Sequence, residues 1–323
     1  MTPQVLEIIS YFCIIKYNTI IMTEKYKSPE NLQTALDCAI RDFEGKTGGF
    51  EMKNKGVSYC NYMTKEEWGN YKESINEHHK KQFDDGAGGE LKEGKYPPKM
   101  ASFGSSSRFI YELSKGIDGF EFEEKLDTRV GGIAHLDGSL KKDSEYIYVE
   151  AKKREIYGGS HENEAIKEVY IDVYNHIIEC IGEEKFSYVP ETSKKIGYKK
   201  ITFKIGGHNV QYFDLKQLIC HFLGITYDIA KHSIRNTKVK FLYLIYNPQE
   251  VTDKMTSVYR EKIENRYKEV AEFVNDNIKN GVFNAIFQAV LDYQTTKQGL
   301  EKKTKIGFEM KLVDPSNYEE EFT

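Results

Sequence analysis

Residues 133–152 read IAHLDGSLKKDSEYIYVEAK. Two apolar runs flank the polar KKDS at 141–144, the pattern of two strands joined by a hairpin turn. Side chains alternate between faces along a strand. Ile147, Val149 and Ala151 therefore share one face suited to a core, and Tyr146, Tyr148, Glu150 and Lys152 share the other. A turn centred between Lys142 and Asp143 sets Asp137 opposite Tyr148 and His135 opposite Glu150. Glu150 is then the diagonal neighbour of Asp137 on one face. Such diagonals lie about 7–8 Å apart at the backbone, and long side chains can close that gap. A slip of one residue would invert both faces.

A pair of carboxylates on one face, with a lysine beside them, suits phosphodiester hydrolysis. Mg²⁺ prefers oxygen ligands and keeps several waters, so two carboxylates are a usual protein share of its site. A metal can lower the pKa of a bound water and neutralise charge on the scissile phosphate. Lys152 would orient the attacking water or offset charge on the phosphate. Lys153 and Arg154 extend the positive charge towards a nucleic-acid backbone. The spacing of an acid two residues before a lysine recurs at Glu44/Lys46, Glu51/Lys53, Asp214/Lys216, Glu301/Lys303 and Glu309/Lys311. Only Glu150-Ala151-Lys152 ends an apolar strand and follows a hairpin that brings an Asp to the same face. The rival reading is a pair of solvated strand faces with incidental charges.

Outward from the hairpin, SSSRFIYELSK at 105–115 has helical spacing and GFEFEEKL at 119–126 alternates as a strand. Residues 155–213 read as an insertion, with a helix near 162–181 and a Lys-rich hairpin at 186–205. Asp214–Lys231 has helical spacing, and KVKFLYLIY at 238–246 is a strongly apolar strand. The order is helix, three strands, helix, strand. Before it, Ser28-Pro29-Glu30 reads as the start of a helix that Gly45 ends, and Thr64 with Glu67 forms a capping-box pattern ahead of one helix over WGNYKESINEHHKKQF, Trp68–Phe83. His78 and His79 read as solvated. After it come a charged helix near 252–279, a shorter one near 282–295, and a tail rich in Lys and Glu. Three regions follow: 1–100 as a partly helical accessory region, 101–250 as a core carrying the insertion, and 251–323 as helices and tail. The fold class is α/β (α+β).

The chain has 323 residues, with 46 Lys and Arg against 50 Asp and Glu, a net charge of -4. That excludes a uniformly basic nucleic-acid coat, so any DNA contact comes from a local patch. A positive stripe is expected at Lys152–Arg154 and along the 194–204 hairpin. Aromatics at 13% predict an aromatic-rich core. Five scattered cysteines without a C-x-x-C pair argue against a disulfide framework or zinc ribbon and for a reducing cytoplasm. The eight histidines show no H-E-x-x-H and no metal-like pairing with Cys. Val5–Met22 is apolar but broken by Glu7, Lys16 and Asn18, which argues against a signal peptide or membrane span. No P-loop, G-x-S-x-G or Rossmann glycine triplet occurs.

The segments SSSRFIYELSK, FEFEEKL, GGIAHLDGSL and YIYVEAKKREIY together resemble the PD-(D/E)xK nuclease superfamily, with its restriction-endonuclease-like core. More narrowly they are similar to bacterial proteins described as predicted restriction endonucleases. The resemblance covers about residues 101–247. It implies Asp137 and Glu150 as ligands of Mg²⁺ or Mn²⁺ and Lys152 as the catalytic lysine. Leu136 stands where the superfamily has proline. Members often add a Glu from the first helix or strand, here Glu112 or Glu124, and a Gln or basic residue from the second helix, here Lys216 and Gln217. The implied activity is a DNA endonuclease of the restriction or mobile-defence type, acting as a homodimer where two strands are cut. The alternatives are a repair nuclease or RNase with the same site, or a non-catalytic nucleic-acid or protein-binding module.

Further DNA contacts are open at two places. Ser106 and Arg108 start a helix whose amides could hold a phosphate, while Ser105–Ser107 read equally as an ordinary N-cap. Lys195 and Lys199 either grip DNA backbone or protect a solvated strand edge.

Overall fold

In a computed structural model, residues 32–52, 57–86, 89–94, 96–191, 195–232, 237–299 and 306–322 are described. The apolar stretch Val5–Met22, the helix start at Ser28-Pro29 and Lys194 lie outside them. Helix α1 (Leu32–Phe43) leads to a short hairpin, β1 (Phe50–Met52) and β2 (Val57–Tyr59). Helices α2 (Lys65–Ser74) and α3 (Glu77–Asp85) follow. The single helix predicted for 68–83 is therefore two. The capping box forms as expected, with Thr64 Oγ1 accepting from the Glu67 amide at 3.1 Å. The break falls at Ile75, which turns into the core, and Asn76 then caps α3 through the His79 amide. His79 is not simply solvated: its ring packs 4.9 Å from that of Phe122.

Next come α4 (Ser106–Ser114) and an antiparallel meander of β3 (Glu121–Asp127), β4 (Ile133–Lys142) and β5 (Glu145–Lys152). The predicted insertion holds β6 (Glu164–Lys167), α5 (Ile171–Ile181), β7 (Phe186–Glu191), β8 (Tyr198–Ile205) and β9 (His208–Asn209), which make a separate sheet centred on β8. Helix α6 (Leu215–His232) crosses back and β10 (Lys238–Ile245) lies parallel to β5. Helices α7 (Ser257–Lys279) and α8 (Val282–Thr296) precede β11 (Gly307–Val313). The predicted tail is thus a strand. It adds to β10 in parallel, giving the order β11-β10-β5-β4-β3. Phe308 secures it, stacking on Phe287 of α8 with ring centroids 3.8 Å apart. The fold is mixed α/β, and one apolar core runs from Leu32 through to Phe322.

The hairpin register differs from the prediction by two residues. Lys142 pairs with Glu145, so the turn is only Asp143-Ser144, and Gly138 pairs with Val149. An even shift keeps the faces. It moves Glu150 from the diagonal of Asp137 to the position directly across, just beyond the last ladder pair. The second face of β5 is not open to solvent, because α6 covers it. Tyr148 is fully buried and its hydroxyl donates to Asp228 of α6 at 2.9 Å. Strands with parallel neighbours are usually buried on both faces.

The pleat changes phase where β3 passes β4. Glu123 has φ 56°, a left-handed conformation rare for a non-glycine residue and absent from a regular strand. Before it, Phe122 packs on Phe83 and Phe120. After it, Leu126 and Ala134 approach Gly224 of α6. A Cβ on Gly224 would lie 2.8 Å from the Cβ atoms of both, so the helix sits directly on the two strands. Gly224 costs helix propensity to permit that approach. We expect Gly224→Val to destabilise the chain by about 1–3 kcal/mol through overpacking. Denaturant unfolding measures this, and an unchanged midpoint would refute the close packing of α6.

Candidate active site

The last residues of β5 and the phase change of β3 and β4 open onto one cavity of about 440 Å³. Glu123, Asp137, Glu150 and Lys152 line it from the sheet, Ser106 from α4, and Gln217 from α6. Lys152 Nζ donates to Glu150 Oε1 at 2.5 Å and to Gln217 Oε1 at 2.7 Å. Asp137 Oδ2 accepts the Ala151 amide at 2.7 Å. His221 of α6 is almost fully buried, with Nε2 3.0 Å from Glu150 Oε2. That approach is not aligned as a hydrogen bond, so Glu150 Oε2 is a buried oxygen with no hydrogen-bond partner.

Burial by itself would raise the Glu150 carboxyl; Lys152 and His221 overcome it and hold the group down at about 2. Asp137 goes the other way. Burial first, and then the neighbouring Glu150 charge, push it well above the usual carboxyl range, although Lys152 opposes them. Burial favours a neutral Lys152, but Glu150 outweighs it and raises the ammonium above an ordinary lysine. Lys152 is therefore a fixed cation and a hydrogen-bond donor, not a base.

Of the predicted residues, Asp137, Glu150, Lys152, Gln217 and Ser106 meet at this cavity. Glu124 does not. With Glu123 in a left-handed conformation before it, Glu124 turns to Ser139 and Lys141, each 3.0 Å away. The carboxylate that β3 delivers is Glu123, whose Oε1 accepts from Ser107 at 3.2 Å. Glu112 also lies elsewhere, exposed and paired with Lys115 at 2.6 Å. The sequence reading missed Glu123 because strict alternation places it on the wrong face. It missed His221 because nothing in the α6 sequence singles out that histidine as the one reaching β5.

The expected positive stripe at Lys152–Arg154 is absent, since each cation has an internal partner. Arg154 Nη1 reaches the buried Asp37 of α1 at 2.7 Å, though it still borders the cavity. Lys153 points to the opposite side of the sheet and is buried over the rings of Phe109 and Tyr246. Arg108 is also buried, with its guanidinium on both oxygens of Glu44 at 3.0 and 3.3 Å. Lys195, over the ring of Tyr198, and Lys199, 3.6 Å from Glu168, are exposed and do not line the cavity. Lys99 lines the cavity itself, paired with Glu90 at 2.6 Å; beyond it stand Lys167 and Lys216, the latter paired with Glu164 at 3.0 Å. These two border an adjoining cleft of about 410 Å³ that shares His135, Asp214 and Gln217 with the cavity.

The donor set fits a hard divalent cation. Two carboxylates from adjacent strands face each other, and Asp137 is disfavoured as an anion by burial and then by the Glu150 charge, a cost that a shared cation would offset. Asp137 and Glu150 would hold Mg²⁺ or Mn²⁺, with Glu123 within the same cavity.

No family model, no curated protein and no solved structure matches this chain. Among the described residues, no helix is long and apolar enough to cross a membrane.

Lys153 provides a test of this arrangement. Burial, and next the Arg108 charge, lower its pKa to about 7. The unfolded chain therefore binds a proton that the folded chain lacks between about pH 7 and the ordinary lysine value of 10.5. Stability should rise with pH across that window, with the full penalty below it. Lys153→Met should raise stability at pH 7 by on the order of a few kcal/mol, and the gain should vanish as pH approaches 10.5. Thermal melts from pH 6 to about 10 follow it; a gain that does not change with pH would contradict the burial of a cation.

Proposed function

We propose that this chain is a Mg²⁺- or Mn²⁺-dependent endonuclease hydrolysing DNA phosphodiester bonds, of the restriction or mobile-defence type. The observation that carries the reading is the meeting of Asp137, Glu150 and Lys152 in one cavity, with charge left for a cation to balance. The order of helix, three strands, helix, strand agrees with it. The cation, when bound, supplies Lewis acidity and acidifies a water on it.

The chain's own residues do the rest. Asp137 and Glu150 bind the cation. Glu150 also keeps Lys152 protonated, and Gln217 fixes its ammonium by a second hydrogen bond. An ammonium has three N–H groups. With two engaged, the third can orient the attacking water or donate to a non-bridging phosphate oxygen, where charge grows in the transition state. Ser106 lies in the first turn of α4, whose positive end favours a phosphate at the cavity. Lys167 at the adjoining cleft extends the track for a nucleic-acid backbone.

The test is digestion of plasmid, phage, modified genomic and single-stranded DNA, with RNA as a further substrate, in Mg²⁺ or Mn²⁺. Wild type should cleave DNA. Asp137→Ala, Glu150→Ala and Lys152→Ala should each lose at least about 10²-fold in rate, while Glu124→Ala should keep most of it. Inert wild-type protein on every DNA with both metals would sink the reading, and cleavage of RNA alone would move it to a ribonuclease.

A binding test stands apart from activity. The folded Asp137 carboxyl titrates above its unfolded value, so its charge destabilises the fold once pH exceeds the ordinary 3.8. Metal-free Asp137→Asn should melt higher than wild type at pH 7, and the difference should close as pH falls towards 4. Added Mg²⁺ should raise the wild-type Tm and leave the variant unmoved. Equal Mg²⁺ shifts in both proteins would contradict Asp137 as a ligand.

A further inference from the structure

Away from this cavity, two helices from different parts of the chain bring three metal-ligating side chains together. His176 and Cys180 lie one turn apart on α5, and Asp292 comes from α8. Spacing of four residues puts the first two on one helix face. The sequence reading found no pairing of His with Cys, yet this pair was present as H-x-x-x-C; its third partner, 112 residues beyond Cys180, carried no local signal. None of the three lines the catalytic cavity.

The geometry converges on a single atom. His176 Nε2 is 3.0 Å from Asp292 Oδ2 and 3.5 Å from Cys180 Sγ. One ligand atom from each residue lies within 4.8 Å of the others. An imidazole nitrogen carries either one proton or one lone pair, so it satisfies one of these neighbours well and not both. With Zn–N, Zn–O and Zn–S bonds of about 2.0–2.3 Å, the edges of a tetrahedron are about 3.3 Å for N···O and about 3.5 Å for N···S. The observed separations match these to within a few tenths of an ångström. His176 is packed against Tyr293 and nearly buried, while Cys180 is exposed, so the group is anchored on one side and reachable on the other.

We propose that His176, Cys180 and Asp292 form a Zn²⁺ site with its fourth position open to water. Imidazole and thiolate select a borderline or soft cation, in contrast to the carboxylate pair of the catalytic cavity, which suits Mg²⁺. Bound there, Zn²⁺ ties the insertion helix α5 to α8, the helix on which Phe308 of β11 stacks. It would act as a staple between the insertion and the strand that completes the large sheet.

The experiment uses the full chain carrying Asp137→Asn and Glu150→Gln, which silence the catalytic carboxylates. Zn²⁺ binding is measured by equilibrium dialysis, and Co²⁺ replaces Zn²⁺ for absorption spectroscopy. We expect one Zn²⁺ that Cys180→Ser removes, and a thiolate-to-cobalt charge-transfer band that the same change abolishes. Asp292→Asn should weaken Zn²⁺ binding by at least about 10-fold, a loss seen even for outer partners of metal ligands. It also carries the test if the serine variant folds poorly. Cys220→Ser, at a cysteine outside the group, should change neither readout. Absence of the thiolate band, or Zn²⁺ binding unchanged by Cys180→Ser and Asp292→Asn, would overturn the site. Either result stands apart from DNA cleavage, which these measurements do not read.

Discussion

Glu150 and Lys152 form an ion pair inside the protein, two residues apart at the end of the central strand of the large sheet. Placing two charges there is expensive unless each is tightly matched. Every neighbouring element contributes to that matching. The α6 helix supplies Gln217 to the ammonium and His221 beside the carboxylate. Strand β4 places Asp137 across from Glu150, and its amide partner is the residue between the pair. Strand β10 brings Tyr243 alongside. The sheet order, the close seating of α6 on Gly224 and the phase change at Glu123 are all ways of assembling this one charged centre.

A second layer of charge holds the N-terminal region to the same strand end. Asp37 is fully buried and accepts from Arg154, Asn61 and Ser102. Gly104 is needed beside it, because a Cβ there would lie 1.9 Å from Asp37 Oδ1. Arg108 and Glu44 make a parallel link. Cations that look like a DNA-binding run in one dimension are thus spent on docking α1 against the core. Removing one member of such a pair leaves an uncompensated buried charge, which costs more than the pair is worth intact.

The elements around the hairpin were legible because their periodicities are strong and the turn is short. Faces survived an error of two residues in register, since side-chain direction depends only on whether the shift is even. The meeting of Asp137, Glu150 and Lys152 in the candidate site was legible because it depends on alternation. The site was not legible at Glu123 and Glu124, because one left-handed residue reverses the alternation beyond it. It was not legible for Lys153, Arg154 and Arg108 either. A lysine or arginine reads as a surface charge until its buried partner, here an aromatic cage or a carboxylate from a distant segment, is in place. Strand β11 escaped for a related reason: FEMKLV resembles the charged tail around it, and only a waiting neighbour, β10, makes it a strand.

That neighbour carries a consequence for how the chain is made. Strand β10 pairs with β5 on one side, and among the described residues its other edge is covered by residues 307–313. Two helices are synthesised between them. During that interval the most apolar strand of the chain presents a bare row of amides and carbonyls, the template through which sheets join to foreign strands. Closure by β11 therefore comes late in chain order. A polypeptide cut short after α8 would carry every residue of the charged centre and still be left with an adhesive edge.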